Sequence, residues 1–277
     1  MGVYMRPGRC LRKLNQRLSW LYSHFVRTLL RFSTAVLNPS HRLCGLHAWT
    51  DLSRCTNGER AATWLRAFHD NRVVFVHIPR CAGTSVETAC FGLDLYSQHY
   101  TLPQLEAMLG LSDDAASDRY FRFTIVRDPL ERFLSAFAYL LDRRPSNGEP
   151  ISEHDLIASE LLRGNAEWRD GPLAFLRHIA SLPSWECVPL HFRPQLYFLG
   201  GESALRRFDR IARFESLLAD MASVASMLDL GSGTSSCVEL PHKRTARSAA
   251  RKHWRSDELA ALVRRVYARD YRAFGYE

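Results

Sequence analysis

The sequence predicts an α/β fold of three layers, with a central, mostly parallel sheet covered by helices on both faces. Three observations predict it. Short apolar or β-branched runs, "VVFV" at 73–76, "FRFTIV" at 121–126 and "RIARF" at 210–214, have the length and composition of buried parallel strands. Stretches with helical spacing separate them, which is the alternation that builds a parallel sheet. The chain has 277 residues with ordinary globular proportions of apolar and charged side chains, enough to bury a full core.

The elements follow in order. In residues 11–37, Leu14, Leu18, Leu21, Phe25, Leu29, Phe32 and Val36 recur at spacings of three and four. Lys13, Arg17, His24, Arg27 and Arg31 follow another face, so this is a basic amphipathic helix. Arg27 and Arg31 interrupt any window long enough to span a membrane. Packing of this helix on the body is the leading reading. Peripheral contact with an anionic membrane and an organelle transit segment are the alternatives. Asn38-Pro39-Ser40 opens a linker to about residue 57, which divides the chain into an arm, 1–57, and a body, 58–277.

Within the body a helix is expected over 59–68, then the strand 73–76 and a helix over 84–91. A helix over 102–109 is entered through Pro103, and the strand 121–126 leads to a helix over 130–141 opened by Pro129. The turn formers of 143–150 make a loop; helices follow at 153–163 and 172–182. The strand 210–214 runs into a helix ending near Met227, a loop holds Gly231 and Gly233, and a last helix covers 257–267.

Charge and cysteines narrow the function. The net charge is +8, yet eight of the 37 basic residues precede Asp51 and no acidic residue does, leaving 29 basic against 29 acidic in the remainder. The body is neutral, so a general nucleic-acid surface is not supported and no nucleic-acid partner is expected. The seven cysteines, Cys10, Cys44, Cys55, Cys81, Cys90, Cys187 and Cys237, are odd in number and scattered, with no CxxC pair. That argues against a disulfide scaffold or zinc cluster and fits a reducing compartment.

"VVFVHIPRCAGTSVETACFG" (73–92) reads as strand, tight turn and helix. The backbone N–H groups at such a helix start face the positive end of its dipole, which suits a phosphate or sulfate. Thr84 and Ser85 add hydroxyls, and Arg80 adds a fixed charge. The pattern departs from the triphosphate loop G-x-x-x-x-G-K-[ST]: Gly83 is its one glycine and Arg80 precedes it. No Walker-type acidic ligand for magnesium stands out, and no metal is expected. In "FTIVRDPLERFLSAFAYL", Arg127 follows a buried strand and Ser135 lies eight residues on, along one helical face. These two could grip a second phosphate from a neighbouring position in the sheet.

"HIPRCAGTS" resembles the 5′-phosphosulfate loop, and "RDPLERFLSAF" the 3′-phosphate site, of sulfotransferases that use 3′-phosphoadenosine 5′-phosphosulfate (PAPS). The similarity is greatest to the carbohydrate branch, which includes heparan sulfate and chondroitin enzymes and bacterial relatives. It runs on through "HFRPQLYFLGG", "IARFESLLADM", "LPHKRTARS" and "VYARDYRAFGYE", covering about 73–277. The resemblance implies a P-loop-like three-layer fold. It implies that Arg80, Cys81, Ala82, Gly83, Thr84 and Ser85 hold the 5′-phosphosulfate and that Arg127 and Ser135 bind the 3′-phosphate. It also implies that Lys243 and Arg244 sit in a late loop that closes over the nucleotide. The family commonly has lysine where this chain has Arg80; arginine keeps the charge but is planar and bulkier.

An acceptor hydroxyl needs a base, and histidine suits neutral pH. His99, just after the first helix, stands where several family members place a catalytic histidine. His191 in "LHFRPQ" is the second candidate, as base or substrate contact. His77 reads as a buried structural residue, and Asp128 and Glu131 as structural or solvated. The resemblance favours a hydroxyl of a carbohydrate or glycoconjugate as acceptor. Animal relatives are membrane-anchored; with no such anchor here, the expected location is the cytoplasm, with peripheral contact at the inner membrane face as a variant. Two other readings stay open: a triphosphate-dependent small-molecule kinase, and a non-catalytic nucleotide-binding descendant.

Overall fold

The computed structural model describes residues 58–92, 99–111, 120–142, 153–228 and 253–277. The expected basic helix 11–37, the arm that carries it, the loop 143–150 and the segment with Lys243 and Arg244 lie outside these residues.

Helix α1 (Gly58–Asn71) leads into strand β1 (Val73–Val76), followed by α2 (Gly83–Phe91) and α3 (Leu102–Leu109). Strand β2 (Phe121–Val126) feeds α4 (Pro129–Asp142), α5 (Glu153–Gly164), α6 (Ala166–Asp170) and α7 (Pro172–Ser181). After short 3₁₀ turns and α8 (Gln195–Leu199) comes strand β3 (Arg210–Arg213), then α9 (Leu217–Met227), α10 (Asp257–Val266) and α11 (Ala268–Phe274). The three strands are parallel in the order β1-β2-β3. The fold is therefore the α/β arrangement expected, a small parallel sheet flanked by helices, with the three strands where the apolar runs placed them. The helices α6, α8 and α11 were not foreseen; each has seven residues or fewer, too short to establish a period.

The sheet is held by its burial. All four residues of β1 are buried, and Phe75 pairs in register with Phe123, their rings 4.7 Å apart. Thr124, fully buried, satisfies its hydroxyl on the Val76 carbonyl at 2.8 Å, so the sheet carries no orphan polar group there. One apolar core joins α1, β1, β2, α3 and α9; a second joins α4, α5, α7 and α10 around Phe133, Phe137, Phe175 and Phe192. Asp209 accepts from the Arg122 N–H at 2.7 Å and thereby ties the start of β3 to β2.

Among the described cysteines, Cys81 and Cys90 are thiols and Cys187 is disulfide-bonded. Scattered spacing cannot reveal which residues folding brings within bonding reach. Among the described residues no helix is long and apolar enough to cross a membrane.

Candidate functional site

Strands β1 and β2 end side by side, and the candidate residues gather at those carboxyl ends, where open parallel sheets bind ligands. After His77 the chain turns through Pro79-Arg80-Cys81-Ala82 into α2. Arg80 and Ala82 both take left-handed backbone, with φ of 69° and 61°. Such angles cost a non-glycine residue about 1–3 kcal/mol and persist where the surroundings impose them. Gly83 does not share them. Its lack of a side chain serves a different need: a Cβ there would lie 2.1 Å from Cδ2 of the His77 ring. That ring is buried and held by Glu87, which is also buried and places Oε1 3.0 Å from His77 Nδ1. A histidine and a glutamate from opposite sides of the turn thus require the glycine between them.

Ala82 is the residue before α2 and supplies no side-chain cap, and no acidic residue stands in the first turn. The Ala82 carbonyl accepts from the N–H groups of Ser85 and Val86 at 3.0 and 3.2 Å, so this helix start is held by backbone bonds and not by a side-chain cap. Cys81 is buried, and burial pushes its thiol up to about 12, against the lowering effect of Arg132, Arg127 and Arg80. It packs as a small apolar group and cannot serve as a nucleophile at neutral pH.

Arg80, Arg127 and Ser135 come together in a linked arrangement. Arg80 Nε donates to Ser135 Oγ at 3.2 Å, and Arg127 Nη1 donates to the Arg80 carbonyl at 3.3 Å. The Arg127 guanidinium lies over the Phe214 ring at 4.1 Å, and that of Arg80 over Tyr139 at 4.5 Å. The Arg127 backbone is clamped on both sides by Gln195, which accepts from its N–H and donates to its carbonyl, each at 2.8 Å. Gln195 and Leu196 in turn donate their N–H groups to buried Asp270 at 2.7 and 3.1 Å.

The two candidate bases also meet. The rings of His99 and His191 are 5.5 Å apart, and His77 lies 4.5 Å from His99 on the other side. His99 Nδ1 is 3.1 Å from the His77 carbonyl, which can only accept, so that nitrogen carries the proton and Nε2 is the basic one in the neutral ring. His191 is buried, with Nδ1 3.5 Å from Asp155 Oδ1. Asp128 acts structurally, its Oδ1 accepting from the Glu131 N–H at 2.8 Å at the start of α4, and Glu131 pairs with Arg255.

Sequence reasoning missed Tyr139, Asp155, Gln195 and Glu87. Tyr139 had a signal, since it lies one turn beyond Ser135 on the same helical face. Gln195 and Asp155 had none, because only the tertiary fold brings them to β2 and to His191.

The chain matches the sulfotransferase family model over residues 65–277, and it belongs to that family. Searches among curated proteins and among solved structures gave no match.

Proposed function

We propose that this sulfotransferase moves a sulfuryl group from PAPS to a hydroxyl of a carbohydrate or glycoconjugate. The observation that carries the reading is the meeting of Arg80, Arg127 and Ser135 at the ends of β1 and β2, beside His99 and His191. Two fixed cations and an uncapped helix start suit a donor with separate 5′- and 3′-anionic groups. In this reading the loop Arg80–Ser85 holds the 5′-phosphosulfate, and Arg127 with Ser135 holds the 3′-phosphate. Lys243 and Arg244 belong to a loop that closes over the nucleotide.

His99 Nε2 takes the proton of the acceptor hydroxyl as its oxygen bonds to sulfur. The bond from sulfur to the bridging oxygen breaks in line, and the electron pair leaves with 3′-phosphoadenosine 5′-phosphate (PAP). Arg80 and the loop amides offset the charge that grows on that oxygen. His191 contacts the acceptor. Placement of the two reactants supplies much of the rate, as in phosphoryl transfer.

Calorimetry tests the donor half. PAP is expected to bind far better than AMP or ADP, and Arg127→Ala to weaken PAP about ten- to a hundredfold, the worth of a charge-assisted contact of about 1.5–3 kcal/mol. Equal affinities for nucleotides with and without the 3′-phosphate would overturn it. Incubation of labelled PAPS with extracts of the source cell, followed by identification of the labelled product, tests the acceptor half; a label confined to protein or to nitrogen-linked products would remove the carbohydrate.

A further inference from the structure

We infer that Tyr139 and Asp155 are positioning residues that fit this site to an arginine at position 80, an inference that rests on the donor reading above. A lysine would present a compact charge that needs no orientation about its own axis. A guanidinium is planar, and its two terminal nitrogens address a single anion only if that plane is set.

Contacts from one face of α4 set it here. Ser135 Oγ fixes the edge through Nε at 3.2 Å, and one turn later the Tyr139 ring lies against the face at 4.5 Å. The ring is itself held, because its hydroxyl donates to Asp155 Oδ2 at 2.6 Å. A phenol hydrogen-bonded to a carboxylate gains electron density on its face, which strengthens the attraction for a cation above it.

The second oxygen of the same carboxylate carries the consequence further. Asp155 Oδ1 is 3.5 Å from His191 Nδ1, and the Tyr139 and His191 rings are 5.2 Å apart. Asp155 is buried, so one carboxylate from α5 stands between the platform of the donor-side cation and the acceptor-side histidine. Displacing it shifts both.

Two measurements test this. In ¹⁵N spectra of the full chain without nucleotide, the Arg80 Nε–H signal, assigned by its loss in Arg80→Lys, is expected to be protected from solvent exchange and shifted by the ring. Tyr139→Leu should abolish both properties, and Asp155→Ala should weaken them. A freely exchanging, unshifted Arg80 signal in the wild type overturns the inference whether or not PAP binds. The second measurement is a double-mutant cycle on PAP affinity. Tyr139→Leu alone and Arg80→Lys alone are each expected to weaken PAP about 5- to 20-fold, with the double variant no worse than about the weaker single. If the two losses multiply, Tyr139 acts only as general packing and the inference fails. If wild type ignores PAP while the Arg80 signal behaves as expected, the donor reading falls and the positioning of Arg80 stands.

Discussion

The exits of β1 and β2 lie side by side and solve the same problem in opposite ways. At the end of β2, α4 begins with Pro129, and Asp128 caps it by accepting from the Glu131 N–H. The chain uses its own carboxylate there, and the backbone before it is clamped by Gln195. At the end of β1 the residue before α2 is Ala82, in left-handed conformation and without a side-chain cap. The turn is held from behind instead, by the His77–Glu87 pair and by Arg127 on the Arg80 carbonyl. The difference teaches that two neighbouring helix starts are held by different means. At β2 a side-chain carboxylate accepts from the Glu131 N–H, whereas at β1 no side chain caps the start and Ser85 and Val86 donate their N–H groups to the Ala82 carbonyl.

The strongest way to break this contrast is to give the β1 exit the cap it lacks. Ala82→Asp places a carboxylate at the start of α2, and aspartate tolerates left-handed backbone better than most residues. PAP binding is expected to disappear from calorimetry, while the thermal midpoint stays within the few degrees that about 1 kcal/mol is worth. Retained affinity would mean that the anion sits elsewhere.

Gly83→Ala attacks the support. The new Cβ must displace the buried His77 ring from its place beside Glu87. Overpacking of this kind costs about 1–3 kcal/mol, and PAP affinity should fall at least tenfold as the turn shifts. The pair of melting and binding curves checks it, and unchanged values in both would show that the ring moves aside without cost.

Asp128→Ala is the control at β2. Loss of the cap should cost about 0.5–2 kcal/mol of stability. PAP affinity should hold or rise slightly, because a negative charge leaves the neighbourhood of Arg127. A loss of affinity as large as that of Ala82→Asp would erase the contrast.

How far this was legible in the sequence follows the same contrast. The three strands and long helices were readable from periodicity, because a buried β run and a helical stripe are local patterns. Pro129 announced α4. Gly83 was read as a turn glycine, whereas its positive-φ neighbours are Arg80 and Ala82 and its own duty is to make room for His77. That duty depends on a side chain six residues earlier folding back over the turn. The meeting of His99 with His191 was not legible either. Each was a candidate by itself, and only the packing of α3 and the 3₁₀ turn before α8 brings their rings to 5.5 Å. The linkage of Ser135 to Arg80, 55 residues earlier in the chain, is likewise a tertiary contact with no local pattern.

The smallest effect lies at the third strand exit, which extends the comparison. Asp220 accepts from the Arg213 N–H at 2.8 Å and from the Ser216 hydroxyl at 2.7 Å, and it pairs with Arg210. Burial works to raise this carboxyl, but these hydrogen bonds and the arginine outweigh it and hold it below the usual carboxylate value. A carboxyl whose folded value is depressed takes up a proton in the unfolded chain first. Its contribution is therefore complete above about pH 4 and is lost as pH falls below that toward the folded value. The site is partly solvated, so the effect is expected to stay under about 1 kcal/mol. Melting of wild type and Asp220→Asn should differ at pH 7 and converge as the pH drops through the acid range. Parallel curves down to pH 3 would mean that the stability of the β3 exit, unlike that of β2, draws nothing measurable from a carboxylate.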